Sequence, residues 1–348
     1  VPTSAEQTGA IVAGVTAPAR LPVTVVTGTL GSGKTTLIAA LLAAPDMSGT
    51  AVIVNELAEI GIDQQVLGDA GDGEVVLLSN GCLCCARGTD LAQAVRRLIG
   101  TGRSATRPIE RILIETSGAA DPAPILRQVC FDPQLRGLLR YGGVLCLFDA
   151  AFGEGMLAHD PVGYRQIALA DMVLVTKTDL VDAADAAARI AALKSLNAAA
   201  VITSDKDQAL AFLAGSGGPV GKAGSQSWLG VATGADEMHP AVIGTWSLSV
   251  EAAIDWPAAE QILRGIYDRH GDAILRTKGV IWTEGDPRPL VIHGIHRHFH
   301  RPIRLKAWEA EPGTRMVVIG LAGAAEAARA IEDALKRCRA RLSENVIS

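Results

Sequence analysis

The stretch Gly28-Thr29-Leu30-Gly31-Ser32-Gly33-Lys34-Thr35 constrains this 348-residue chain more than any other. It is a complete G-x-x-x-x-G-K-T run, and its flanks are those such a run needs. Pro22 to Thr27 before it is β-branched and apolar, the pattern of a strand buried on both faces. Thr36 to Leu42 after it reads as a helix. Strand, glycine turn and helix together make an anion cradle, because the glycines let backbone N–H groups converge and the helix N-terminus adds its dipole. Lys34 is placed to bridge the β- and γ-phosphates of a nucleoside triphosphate, and the Thr35 hydroxyl to ligate Mg²⁺. Gly28, Gly31, Ser32, Gly33 and Thr36 complete the expected phosphate-binding set. An α/β fold with a mostly parallel sheet delivers this geometry.

Two further strand ends carry matching chemistry. Arg111 to Ile114 leads into Glu115-Thr116-Ser117-Gly118, an acid followed three residues later by a glycine. Glu115 could orient Mg²⁺-bound water or the attacking water, and the Gly118 N–H could meet the γ-phosphate. Met172 to Val175 runs into Thr176-Lys177-Thr178-Asp179, close to the Asn-Lys-x-Asp of GTPases. The Asp179 carboxylate would accept from guanine N1–H and N2–H₂ while the Lys177 stem packs along the base. Adenine lacks both donors, so an unpaired carboxylate would penalise it. Thr176 stands where Asn is usual, losing an amide donor and keeping a hydroxyl.

Gly81-Cys82-Leu83-Cys84-Cys85 places three of the six cysteines within four residues. The run follows an expected strand at Glu74 to Ser79 and precedes a helix near Asp90 to Ile99, so it occupies a strand-to-helix loop. In doubly wound sheets such loops lie at the carboxyl edge of the strands, where the phosphate loop also lies. Thiolates favour Zn²⁺ or another borderline-soft ion that wants four ligands. Three thiolates leave a position for Glu56, Glu59 or a water, which suits transfer better than a closed structural site. Buried free thiols or a redox pair are the competing readings, although a disulfide between adjacent Cys84 and Cys85 would be strained. Cys130, Cys146 and Cys338 are isolated and read as packing residues.

With these runs assembled, the chain resembles the CobW-type GTP-binding metallochaperones, which are related to urease and hydrogenase accessory GTPases. The resemblance covers nearly the whole chain. It rests on the phosphate loop, Val54 to Asp63, the Cys-x-Cys-Cys run, Glu115 to Pro122, Gln166 to Asp171, and Thr176 to Asp179. It implies a P-loop GTPase domain with slow intrinsic hydrolysis and a small, variable carboxy-terminal α+β domain. It also implies a switch over Asn55 to Asp63 in which Glu56 and Glu59 lie near nucleotide and metal, and Asp63 is a Mg²⁺-side carboxylate. Leu57-Ala58 departs from the family's Phe-Gly, and the Ala removes backbone freedom there. The implied role is a GTP-dependent chaperone or insertase that delivers zinc or cobalt to a client metalloprotein or a metal-cofactor biosynthesis enzyme. It would act as a monomer or as a metal- or nucleotide-dependent homodimer. The competing classes are a P-loop ATPase or kinase with a structural zinc, and a nucleotide-binding metal sensor or buffer.

Composition is consistent with this. Hydrophobic residues at 49%, charged residues at 20% and a net charge of −5 describe a globular chain with a good core and no basic patch for nucleic acid. Clustered unpaired cysteines without a secretory signal point to a reducing cytoplasm. No apolar run approaches the roughly 18 residues of a membrane span. The expected organisation is a flexible tail at 1–20, a P-loop domain at 21–205, a linker at 206–240 and an α+β domain at 241–342. Of the seven histidines, four are His293, His296, His298 and His300. The strand expected over Leu290 to His298 would put 296, 298 and 300 on one face. That run reads as an exposed polar strand near the domain junction in preference to a second metal site.

Overall fold

The computed structural model describes residues 20–44, 47, 49–55, 74–77, 89–102, 108–153, 155, 161–215, 237–238, 243–299, 302–308 and 311–339. Strands β1 (Leu21–Gly28), β2 (Thr50–Asn55), β3 (Glu74–Leu77), β4 (Arg111–Thr116), β5 (Leu139–Asp149), β6 (Met172–Thr176) and β7 (Val201–Thr203) form one sheet in the order 3-2-4-1-5-6-7. Every pairing in it is parallel. Period two in these near-continuous apolar runs gives two buried faces. Val26, Val52, Leu113 and Leu145 face α1 (Lys34–Leu42), whereas Val25, Ile53, Ile114 and Val144 lie in the core on the other side. That second core is completed by α2 (Thr89–Gly102), α3 (Ala123–Phe131), α4 (Pro161–Leu169) and α5 (Ala183–Leu196).

The segment beginning at 206, expected to open a linker, instead forms α6 (Lys206–Leu213). Asp205 caps it, accepting from the Asp207 and Gln208 N–H groups at 2.9 and 3.4 Å. Ala209, Phe212 and Leu213 are buried on the α1 side of the sheet at helical spacing. The rest of the expected linker lies outside the described residues except Ala214, Gly215 and Glu237–Met238, and so does the tail except Arg20.

The second sheet is antiparallel and comprises β8 (Glu237–Met238), β9 (Ile243–Val250), β10 (Ile274–Thr283), β11 (Asp286–Ile295), β12 (His298–Phe299), β13 (Ile303–Arg304) and β14 (Thr314–Leu321). Its order is 12-11-10-14-9-8, with β13 added to β11. One face carries α7 (Trp256–His270) and α8 (Ala324–Arg337), packed on Leu248, Ile281, Ile292 and Val318. The opposite face, with Val280, Val291, Val317 and Ile319, shares the hydrophobic core of the first domain. Both faces of this sheet are therefore covered.

Arg276 and Lys278, two apart on β10, project into that shared core and are 0% and 2% exposed. They converge on Asp171, the residue just before β6, itself 5% exposed. Arg276 pairs with one carboxylate oxygen, and Lys278 Nζ lies 3.0 Å from the same oxygen. The other oxygen accepts from the Tyr141 hydroxyl and, at 2.9 Å, from the Val144 N–H. Lys278 also donates to the Ala199 carbonyl at 2.6 Å, and Arg276 to that of Leu169. Burial alone would raise the Asp171 carboxyl, but Arg276 and then Lys278 overcome it and hold it well below the usual range. Burial draws the Lys278 ammonium down to about 8.

The histidine run departs from its expected form. β11 ends at Ile295, and His296-Arg297 makes a turn with His296 at φ 51°, so His296 and His298 do not continue one strand. His293 is buried edge-on against Tyr141, with ring centroids 4.5 Å apart, and is not part of an exposed polar strand. His300 lies outside the described residues.

Asp171→Asn leaves two buried cations facing one another and is expected to cost about 3–5 kcal/mol in denaturant unfolding. Because the folded carboxyl titrates below its unfolded value near 4, its contribution is present above that pH and fades as pH falls further. The wild type should therefore lose stability on acidification below pH ~4 more steeply than the variant. A loss under about 1 kcal/mol in Asp171→Asn would show that the junction rests on apolar packing alone.

Candidate nucleotide and metal site

The carboxyl ends of β1, β4, β5 and β6 meet at the phosphate loop. Gly28, Gly31 and Gly33 have φ of 133°, 75° and 96°, which L side chains rarely adopt. A Cβ on Gly28 would also stand 2.3 Å from the Leu147 carbonyl oxygen, so that position is closed to any side chain. Lys34, 7% exposed, turns back into the loop and donates to the carbonyls of Gly28 and Thr29 at 2.9 and 3.1 Å. The Thr29 and Ser32 hydroxyls are buried with no hydrogen-bond partner among the described residues. Orphaned buried hydroxyls beside an ammonium fit a polyphosphate, whose oxygens would satisfy both.

Thr35 Oγ1 donates to Glu115 Oε1 at 2.8 Å, and Glu115 is buried. A hydroxyl and a carboxylate in contact form an oxygen donor set suited to Mg²⁺. The Gly118 loop rests directly on the phosphate loop, since a Cβ at Gly118 would lie 2.5 Å from the Leu30 nitrogen. Gln166 of α4 holds this segment, donating to the Gly118 and Ala120 carbonyls, both at 3.1 Å.

At the end of β6, the Thr176 hydroxyl donates to the Ser32 carbonyl at 2.9 Å, tying the Thr176–Asp179 segment to the phosphate loop. The hydroxyl kept at this position thus makes a structural bond. Lys177 sits in the left-handed region at φ 56°, and Asp179 is exposed in the short helix Thr178–Leu180. Lys177 Nζ pairs with Asp149 at 2.6 Å. Asp149 was not among the expected site residues. It terminates β5, its side chain is 3% exposed, and its other oxygen accepts the Ala151 and Phe152 N–H groups at 2.8 and 3.2 Å. The available signal was the one that marks Glu115, an acid at the end of an apolar run.

Cys82, Cys84, Cys85, Glu56, Glu59 and Asp63 lie outside the described residues. The strands that lead to them do not. β2 ends at Asn55 in register with Thr116, next to Glu115. β3 is parallel to β2 and ends at Leu77, so the chain leaves both toward the carboxyl edge. β3 stands three strand positions from β1, roughly 14 Å at the usual strand spacing. Cys130 and Cys146 are held fully protonated by burial, Cys146 being pushed up to about 12, in keeping with packing roles. Among the described residues no group of three or more His, Cys, Asp or Glu side chains could hold a metal.

A parallel sheet with this loop after its first strand, a buried acid after β4 and a Lys-x-Asp turn after β6 defines a P-loop nucleotide-binding protein. Comparison with known families agrees: residues 22–204 match the CobW/HypB/UreG nucleotide-binding domain, and residues 243–339 match the cobalamin synthesis protein CobW C-terminal domain. The chain belongs to the CobW/HypB/UreG family. It is 31% identical over 343 residues to the zinc chaperone CobW of Pseudomonas aeruginosa, covering 87% of this chain and 88% of that protein. It is 27% identical over 305 residues to the zinc chaperone YjiA of Escherichia coli, covering 86% and 94%. The fold matches the Zn(II)-bound YjiA GTPase from E. coli with a TM-score of 0.66 at 23% identity, over 92% of this chain and 100% of that one.

Asp149→Asn keeps an oxygen for the Ala151 and Phe152 N–H groups but removes the charge that fixes Lys177. The pair is partly solvent-screened, so the expected cost is about 1 kcal/mol, a five- to ten-fold weaker guanine nucleotide affinity by fluorescence titration. Unchanged affinity would remove Asp149 from the base-reading apparatus.

Proposed function

We propose that this protein is a GTPase that carries a transition metal ion, zinc or cobalt, and delivers it to a client metalloprotein or a metal-cofactor biosynthesis enzyme. The observation that carries the reading is the shared sheet edge: the phosphate loop, Glu115 and the base-reading turn leave the carboxyl ends of their strands, and the chain toward Cys82, Cys84 and Cys85 leaves β3 at the same edge. Its relatives in E. coli and P. aeruginosa are named zinc chaperones, which supports the cargo assignment.

In this account Lys34 trades the Gly28 and Thr29 carbonyls for phosphate oxygens. Thr35 and Glu115 would hold Mg²⁺, which supplies charge neutralisation on the phosphates. Asp179 reads the guanine edge, with Lys177 braced by Asp149. The Gly118 N–H meets the γ-phosphate and reports its presence through the loop that Gln166 holds. Asn55 leaves β2 beside Thr116, so the chain toward Glu56, Glu59 and Asp63 starts next to Glu115, at the sheet edge from which the chain leaves β3 toward the cysteines. Triphosphate would order that segment and complete the metal site, and hydrolysis would relax it. A reducing cytoplasm suits unpaired thiolates. Among the described residues no helix is long and apolar enough to cross a membrane. The proposed assembly is a monomer or a metal- or nucleotide-dependent homodimer.

Replacing Cys82, Cys84 and Cys85 together by Ser is expected to abolish stoichiometric Zn²⁺ binding, because thiolate is the soft donor there. Guanine nucleotide affinity should be kept and should exceed adenine nucleotide affinity at least ten-fold, about 1.4 kcal/mol. Calorimetric titration reads both. Full Zn²⁺ stoichiometry in the triple variant would overturn the metal assignment, and equal GTP and ATP affinity would overturn the GTPase assignment.

A further inference from the structure

A cavity of about 220 Å³ opens where the two domains meet, away from the phosphate loop. Arg127 of α3 and Arg165 of α4 form one wall, and Asp272, His296, Arg297 and His298 of the carboxy-terminal domain form the other. We infer that this cavity is a binding site for a small polyanion bearing carboxylate or phosphate groups, seated among Arg127, Arg165 and Arg297.

Three observations support the assignment. The first is charge. Three guanidiniums meet two carboxylates, Asp121 bound to Arg165 at 2.9 Å and Asp272 bound to Arg297, leaving positive charge in excess. Burial lowers both His296 and His298 below the ordinary histidine range; at His298 the Arg127 and Arg297 guanidiniums add to it, while at His296 the Asp121 carboxylate opposes it ahead of Arg127 and Arg165. Both are therefore neutral hydrogen-bonding walls at neutral pH. Guanidinium forks match carboxylate and phosphate oxygens in pairs. The second is construction. His298 stacks across the junction on Phe131 of α3, with centroids 4.7 Å apart. His296 is held at φ 51°, a conformation that costs a non-glycine residue energy and persists where the surroundings enforce it. The third is size. The volume is below the roughly 300–1,000 Å³ of sites for drug-sized ligands, so it suits a compact polyanion and excludes a nucleotide.

The cavity is also wired to the nucleotide loop. Arg165 is adjacent in α4 to Gln166, which holds the Gly118 and Ala120 carbonyls. Its partner Asp121 follows that segment and accepts the Ala123 N–H at 2.9 Å at the start of α3. An anion that draws Arg165 from Asp121 therefore acts on the segment packed against the phosphate loop. This link rests on the proposed role of Gly118, whereas the anion site itself does not.

The test uses the full chain loaded with GDP and excess Mg²⁺, so that the phosphate loop is filled. Tricarballylate and inorganic phosphate are titrated in separate calorimetric arms. At least one should bind with a Kd near or below about 1 mM, roughly 4 kcal/mol, and the Arg127→Gln, Arg297→Gln double variant should weaken it ten-fold or more with GDP affinity unchanged. Binding in one arm alone assigns the ligand as carboxylate or phosphate, and binding in both assigns the shared anion chemistry. No binding in either arm, or undiminished binding in the double variant, overturns the site. Equal anion affinity with GDP and with a non-hydrolysable GTP analogue overturns the link to Gly118 and leaves the site standing.

Discussion

The placement of the two domains depends on one buried carboxylate. Asp171 sits where β6 begins, bonded to the β5 backbone through the Val144 N–H, and receives Arg276 and Lys278 from the facing sheet. Three charges in a core are tolerated only when each is matched, and removing one partner costs more than the set contributes. The arrangement therefore specifies register more than it adds stability. β10 can seat its two cations on Asp171 in only one alignment, since a shift of one residue would turn both toward α7 and α8. The Thr245 hydroxyl, which donates to the Leu196 carbonyl at 3.0 Å, fixes β9 against α5 in the same alignment. The carboxy-terminal sheet is thus held at the opposite end of β6 from the Lys177-Thr178-Asp179 turn.

Much of the nucleotide site was legible because its chemistry is local. A phosphate loop needs a strand, glycines at positive φ, a Lys-Thr pair and a helix in consecutive residues, and all stand between Pro22 and Leu42. Glu115 and Thr176 announced themselves as polar ends of apolar strands. Asp149 carries the same mark but closes a strand that contains the Gly142-Gly143 pair. Those glycines allow close packing, with a Cβ at Gly142 lying 2.8 Å from the Thr24 hydroxyl and one at Gly143 lying 2.5 Å from the Phe212 ring. The Asp205 cap and the spacing of Ala209, Phe212 and Leu213 signalled α6, but the glycine-rich stretch after it drew the whole segment into the linker. Asp171 paired with Arg276 and Lys278 could not be read at all, because 105 and 107 residues of sequence separate partners that only the docked sheets bring together. The same holds for His293, which looks like one member of a polar run and is buried against Tyr141.

Under the proposed function, nucleotide state and metal custody are one equilibrium. The strand order places β2 and β4 between the phosphate loop's strand and the strand that leads to the cysteines, and the chain after Asn55 starts beside Glu115. Linkage then requires that each ligand alter the other's affinity by the same factor. The direct measurement is the Zn²⁺ dissociation constant, by competition with a chromogenic chelator, for the protein loaded with Mg²⁺ and either GDP or a non-hydrolysable GTP analogue. The account expects the two constants to differ at least ten-fold, about 1.4 kcal/mol of coupling. Identical constants would contradict it and leave a GTPase whose metal site is independent of its nucleotide.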